Sequence, residues 1–266
     1  MGHTYKALIK NYRYISNLDY RIIHKNTCIL VSVIIPVYNE KPNLSRLLPY
    51  LHKIGKGHDF EIIISTGACT EDYSECGHGM DDVVVLCNGK KGRAHQMNDG
   101  ATVAKGNILA FLHADVIPPK TFFSDIQKTI QSGFDAGFFS YRFDTDSFLL
   151  RINASFTKKD GIFTGGGDQC LFIKKSVFEK LEGFDGNQVL MEDFEFFKRM
   201  KSAGARYTII DNDLVVSARK YKHNSYVRVN LSNFLLVVLF KMGFAPKKLK
   251  SLHNRLLRLD YQNPPT

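Results

Sequence analysis

The sequence predicts an α/β fold with a mainly parallel central sheet, and three observations carry that expectation. Cys28 to Val37 is an almost continuous apolar run rich in β-branched residues, which suits a parallel strand buried on both faces. Leu44, Leu47, Leu48, Leu51 and Ile54 follow at helical spacing, with Gly55 as the stop. Strand-like and helix-like stretches then keep alternating, the order expected of a sheet flanked by helices.

After this first strand and helix come a second strand (Phe60 to Ile64) and a third (Val83 to Cys87). A helix around Ala94 to Ala104 leads into a fourth strand, Ile108 to Leu112. Past Pro119 the order changes. A helix near Phe122 to Ile130 precedes an aromatic-rich strand, Phe138 to Phe143, and then a polar stretch to Gly167. A short strand (Cys170 to Ile173), a helix (Ser176 to Leu181) and a helix from about Glu192 to Gly204 complete this part. Two further helical patterns, Val227 to Met242 and Pro246 to Leu259, are separated by Gly243 and Pro246. The expected organisation is an extension over 1–27, a main α/β domain over 28–225 and a basic helical segment over 226–266. A nucleotide-binding half would precede an acceptor-binding half.

At 266 residues, with 44% hydrophobic and 23% charged residues, the chain has the length and composition of a globular protein with a sizeable core. The five cysteines, Cys28, Cys69, Cys76, Cys87 and Cys170, are odd in number and have no zinc-type spacing, so a reduced, intracellular compartment is expected. Met1 to Lys25 is basic and tyrosine-rich without an apolar core, unlike a signal peptide. No run approaches 18 consecutive apolar residues, so no membrane span is expected. The expected location is therefore cytoplasmic, peripheral to the inner face of the membrane if the basic segment docks there.

Charge is unevenly placed. From Lys198 onward there are 14 Lys and Arg against 3 acids, while residues 1–197 are close to neutral. Such a segment suits nucleic acid, anionic lipid or a phosphorylated substrate, or is simply solvated. It lacks a helix-turn-helix, zinc-finger or RNP-type signature, which argues against nucleic acid. Its apolar run Phe234 to Phe240 is too short to span a bilayer; it suits a helix lying in the headgroup region, or a helix packed against the core of the protein.

Four places carry candidate chemistry. Asp115 closes an apolar run from Ile108, where a carboxylate at the carboxyl end of a buried strand meets the ligand crevice of open α/β sheets. With Mg²⁺ or Mn²⁺ it would hold a diphosphate; the other reading is a helix N-cap. Glu192 and Asp193 open an amphipathic helix, either as acids favoured by the helix dipole or as a general base toward an acceptor hydroxyl. Gly92-Arg93 enters a helix and suits phosphate, or is an ordinary loop with a solvated arginine. Gly165-Gly166-Gly167-Asp168-Gln169 permits close backbone approach to a ligand, or is a flexible turn.

Taken in order, Val33 to Glu40, Gly92 to Asn98, His113-Ala114-Asp115, Gly167-Asp168-Gln169 and Met191-Glu192-Asp193 resemble the family 2 glycosyltransferases. More narrowly they resemble a bacterial branch with Gly-Arg-Ala-x-Gln-Met-Asn and with His-Ala-Asp in place of Asp-x-Asp. Ser217-Ala218-Arg219 and Gly243 to Pro246 are similar to that branch too, so the likeness spans roughly residues 31 to 255. The resemblance implies a GT-A fold and a metal-dependent, inverting hexosyltransferase-type enzyme that uses a nucleotide-sugar. It implies that Asp115 binds Mn²⁺ or Mg²⁺ and that Asp193, paired with Glu192, is the base. Pro36, Tyr38, Glu40, Thr66, Arg93, Gln96, Asn98, His113, Asp168 and Gln169 would surround the donor. The acceptor is unnamed, with a lipid-linked or membrane-proximal one expected from the basic segment.

Two departures stand out. Ser65-Thr66-Gly67-Ala68-Cys69 replaces the family's Asp-Gly, so Thr66 stands where an aspartate would read the base, leaving uridine and guanosine both open. Lys220-Tyr221 follows Arg219 where the branch more often has Arg-Trp, which bears on acceptor contacts more than on catalysis. The competing expectation is a catalytically silent GT-A-like module that binds a nucleotide-sugar or scaffolds a partner. Asp115 and Asp193 favour the enzyme.

Overall fold

β1 (Val31–Val37) is buried along its whole length and pairs in parallel with β2 (Phe60–Thr66) on one side and β4 (Ile108–Phe111) on the other. The computed structural model describes residues 29–67, 72–73, 75–77, 79–87 and 91–257. Alternate residues of β1 serve opposite faces: Val31, Val33 and Ile35 pack in one core layer and Ile34 in the other. This two-sided burial is why the strand reads as a continuous apolar run.

β3 (Val83–Cys87) adds to β2 in parallel. Beyond β4 the sheet continues through β7 (Phe172–Lys174), β6 (Ala136–Phe143), β8 (Tyr207–Val216) and β5 (Val116–Ile117), giving the order β3-β2-β1-β4-β7-β6-β8-β5. β7 is antiparallel to both β4 and β6, and β5 is antiparallel to β8, while β6 and β8 are parallel. Among the described residues, six of the eight strands therefore run the same way, as a mainly parallel sheet requires.

Helices cover both faces. α1 (Lys41–Ile54) places Leu44, Leu47, Leu48 and Leu51 in one layer, joined by Phe122, Phe123 and Ile126 of α3 (Phe122–Gln131). α2 (Arg93–Val103), α5 (Lys175–Lys180) and α6 (Glu192–Ser202) fill the other with Ala94, Met97, Phe178, Phe196 and Met200. α2 lies close enough to β1 that a Cβ on Gly100 would sit 2.5 Å from Ile34, so glycine sets that approach.

Two features differ from the sequence expectation, and a third divides between its two readings. The stretch after β6 is not merely polar: α4 (Phe148–Ser155) forms there, with Leu150 and Ala154 buried against the domain. β8, ten residues long, lies between α6 and the C-terminal helices and pairs with β6, whose aromatic pattern had no visible partner in the sequence. The run Phe234 to Phe240 is not one apolar surface. It lies in α7 (Tyr226–Lys241), which buries Leu236 and Val237 and leaves Phe234 and Leu235 exposed. α8 (Pro246–Leu256) follows. The extension over 1–27, Cys28, Ala68, Cys69 and the end of the last helical pattern lie outside the described residues.

Candidate active site

The carboxyl edge of the sheet is tied together by side-chain amides. Gln96 of α2 donates to the carbonyls of Val37 (2.6 Å) and Ser65 (3.1 Å), joining the ends of β1 and β2. Tyr73 accepts from the Glu40 amide at 2.8 Å. Beside them, β4 ends in a tight turn in which Val116 N–H donates to the His113 carbonyl. That turn sets His113 and Asp115 at the edge of the sheet. Arg219, from the segment after β8, donates to Glu40 (2.8 Å) and lies 3.2 Å from Asp115.

α6 delivers the second pair of carboxylates. Its N-cap, Met191, is held at φ 65°, a left-handed conformation that costs a non-glycine residue energy. Asn39 after β1 and Cys170 after the glycine-rich loop share this feature, as does Glu182 after α5, so three of the four such non-glycine residues among the described residues lie around this edge. Glu192 is buried and lies 3.3 Å from the Arg93 guanidinium, with Asp193 at 4.0 Å from it. Burial and the neighbouring Glu192 push the Asp193 carboxyl up to about 7, against the pull of Arg93. Burial alone would lower Arg93, but Glu192 and Asp193 more than offset it and keep it charged.

The glycine-rich loop closes against both groups. A Cβ on Gly167 would sit 2.5 Å from Asp193 Oδ2 and 2.5 Å from the His113 ring, so the backbone here touches the two side chains directly. Gln169 pins the loop: its side-chain oxygen accepts from Gly165 N–H at 3.1 Å, and its amide donates to the Thr157 carbonyl at 3.2 Å. Asp168 lies 3.5 Å from His113 and 3.7 Å from Lys220. Burial opposes its charge, but Lys220 and His113 hold its carboxyl well below the usual range. Gly167→Ala should therefore displace Asp193 and His113 and cut turnover by about tenfold or more, because small misplacements at a reacting centre are costly. Steady-state kinetics on the folded variant check this; near-normal turnover would show that the loop yields without moving either side chain.

These groups face one cavity of about 670 Å³, within the size range of small-molecule sites. Its far wall comes from the C-terminal helices: Asn230 and Asn233 of α7, Lys250 and His253 of α8. Burial, with Lys250 nearby, pushes His253 down to about 4, so it is neutral at physiological pH. Burial, then Arg93, lowers Lys250.

The structure brings together Pro36, Tyr38, Glu40, Arg93, Gln96, His113, Asp115, Asp168, Gln169, Glu192 and Asp193, all of which line this cavity. It does not bring Asn98 there. The Asn98 amide instead donates to the Phe184 carbonyl (2.7 Å) and its oxygen accepts from Phe184 N–H (2.9 Å), anchoring the loop before α6. Thr66 is buried at the end of β2, and Gly67 beside it reaches the cavity wall. Gln96 and Gln169 line the wall but spend amide hydrogen bonds on backbone. Sequence reasoning did not assign Arg219, Lys220, Lys250 or His253 to the site. The signals available were the basic character of the last quarter, the Ser217-Ala218-Arg219 likeness and the departure at Lys220-Tyr221, and nothing local tied them to a crevice formed far earlier in the chain.

The model of glycosyl transferase family 2 matches residues 32–183, which takes in every element from β1 to α5 and ends before Asp193. The undecaprenyl-phosphate 4-deoxy-4-formamido-L-arabinose transferase of Proteus mirabilis is 25% identical over 236 residues, covering 84% of this chain and 70% of that protein. The protein of the same name from Pseudomonas fluorescens is 24% identical over 236 residues, covering 84% and 67%. Among solved structures, a mannosyltransferase from Pyrobaculum calidifontis in complex with GDP-Man and Mn²⁺ superposes with a TM-score of 0.58 at 20% identity, over 84% of this chain and 68% of that one. S. aureus TarS 1–349 in complex with UDP gives 0.57 at 15% identity, over 88% and 72%.

Proposed function

This chain belongs to glycosyl transferase family 2, and from that premise we propose that it is a metal-dependent, inverting enzyme moving a sugar from a nucleoside-diphosphate donor to an acceptor hydroxyl. It is a glycosyltransferase with the GT-A fold, as its sequence led us to expect. The observation that carries the finer reading is that Asp115 and Asp193, from distant segments, line one cavity, each beside an arginine.

The donor set suits a nucleotide-bound Mn²⁺ or Mg²⁺. Among the described residues no group of three His, Cys, Asp or Glu side chains could hold a metal, so Asp115 would be joined mainly by substrate oxygens and water. Mg²⁺-type sites in nucleotide enzymes are built in that way, from one or two carboxylates plus phosphate. The metal would supply positive charge to the leaving diphosphate. The chain's own groups do the rest. Asp193 accepts the proton of the acceptor hydroxyl, and the acceptor oxygen bonds to the anomeric carbon as the bond to the diphosphate breaks. Attack opposite the leaving group inverts that carbon. Arg93 stays charged beside Asp193 and Glu192, and Arg219 reaches the Glu40–Asp115 edge where the diphosphate would sit.

The narrower branch, with His113 in place of a first aspartate, is part of the same proposal. So are a lipid-linked acceptor, supported by the two relatives whose names tie them to undecaprenyl phosphate, and a position at the inner face of the membrane, supported by the basic C-terminal segment. Among the described residues no helix is long and apolar enough to cross a membrane. The test is a screen of UDP- and GDP-sugars with and without Mn²⁺. One donor should raise the melting temperature only with metal and be slowly hydrolysed without acceptor. No metal-dependent shift with any donor would overturn the proposal.

A further inference from the structure

α4 and α7 are joined along a seam. Asn153 of α4 donates to Asn230 (2.8 Å) and accepts from the Tyr226 hydroxyl (2.7 Å), both on α7. Beside that seam each helix turns an apolar stripe to solvent. On α4, Phe148 is 68% exposed and Leu149 and Ile152 are exposed too; on α7, Val227 (69%), Leu231 (64%) and Phe234 (49%) follow at helical spacing. Large side chains grouped in this way are unusual on a soluble protein surface and mark an interaction site.

The charge on the α7 side selects the partner, while on the α4 side the exposed Asp146 is paired with Arg151. No Asp or Glu occurs between Asp213 and Asp260, whereas Arg228, Lys241, Lys247 and Lys248 are all exposed on or beside α7 and α8. A second copy of this chain would bring that basic surface against itself. An anionic bilayer meets it with opposite charge and accepts the apolar stripes into its headgroup–acyl boundary. The face also adjoins the cavity, because Asn153 on α4, Phe156 just after it, and Asn230 and Asn233 on α7 line its wall.

We propose that α4 and α7 together form a docking face that seats the protein on an anionic membrane with the mouth of its cavity beside the lipid. The face stands on its own residues; its use in presenting a lipid-linked acceptor rests on the glycosyl-transfer reading. The two-helix surface replaces the single run Phe234 to Phe240 as the contacting element, since Leu236 and Val237 point inward.

The test uses the full chain and vesicles of phosphatidylglycerol or phosphatidylcholine. The protein should pellet with the anionic vesicles, less so as salt rises, and not with the neutral ones. Phe148→Glu and Leu231→Glu combined should weaken binding by about tenfold or more, given the usual worth of burying two large apolar side chains. Both positions are exposed, so melting temperature and donor-dependent stabilisation should not change. The chain has no tryptophan, so Leu231→Trp supplies a single reporter whose emission should shift to the blue on vesicle binding. No pelleting of folded protein, pelleting unaffected by the double variant, or a dimer that Leu231→Glu dissolves would overturn the proposal. Vesicle binding without turnover of any donor would support the face and count only against the glycosyl-transfer reading.

Discussion

Asp193→Asn is expected to lower turnover by about 100-fold or more while donor affinity stays unchanged, since general-base catalysis is usually worth that much. Asparagine keeps the size of the side chain and cannot take the proton. Burial and Glu192 raise the Asp193 carboxyl to about 7, close to the working pH at which a general base is most effective. The same shift has a consequence for stability. The folded chain binds this proton more tightly than the unfolded chain does, so wild-type stability falls as pH rises from the ordinary value of 3.8 toward about 7. Replacing the carboxyl by an amide removes that loss. The variant should therefore gain melting temperature relative to wild type as pH is raised through this window, while losing activity throughout. A variant with near-normal turnover would move the base elsewhere, with Glu192, buried beside Arg93, the next residue to test.

Most of the first half of the fold was legible because its strands are buried on both faces, so composition alone marks them, and amphipathic helices separate them. The bounds of β3 agree with the sequence expectation, those of α7 agree to within one residue, and α1 ends at Ile54, just before the expected stop at Gly55. β8 was hidden because its residues are mostly half-buried and interrupted by Asp211 and Asp213, which break the apolar signal of a strand. α4 was hidden because its outward side carries Phe148, Leu149 and Ile152, leaving no clean polar face to give a helical period. The site divides in the same way. Asp115, Asp193 and the glycine-rich loop announce themselves through local patterns, a buried run ending in an acid or a helix opening on one. Arg219 and Lys220, legible only through the family resemblance, do not. Their role depends on β8 crossing beside β6 and returning the chain to the edge where β4 ends, a long-range pairing that no local window contains.

Asp115→Ala is the second large effect expected, and it should separate the metal from the fold. Arg219 lies between Asp115 and Glu40, at 3.2 Å and 2.8 Å. Removing the Asp115 carboxylate leaves Arg219 on Glu40, so no buried charge is stranded and the melting temperature without ligand should change little. Binding of a nucleoside diphosphate is where the loss should fall. In wild type its stabilising effect should grow with Mn²⁺; in Asp115→Ala it should fall to the metal-free level at every Mn²⁺ concentration tested. Turnover should drop by about 100-fold or more, since charge stabilisation by a metal is worth several kcal/mol and each 1.36 kcal/mol is about tenfold in rate. Asp115→Asn sharpens the reading, because an amide still accepts a hydrogen bond from Arg219 but is a poor ligand for a hard divalent ion. If the asparagine variant behaves like the alanine variant, the metal and not the arginine contact is what Asp115 supplies. If the asparagine variant binds the nucleotide with normal Mn²⁺ dependence, the role of Asp115 is to hold Arg219, and the metal, if used, is carried by the substrate alone.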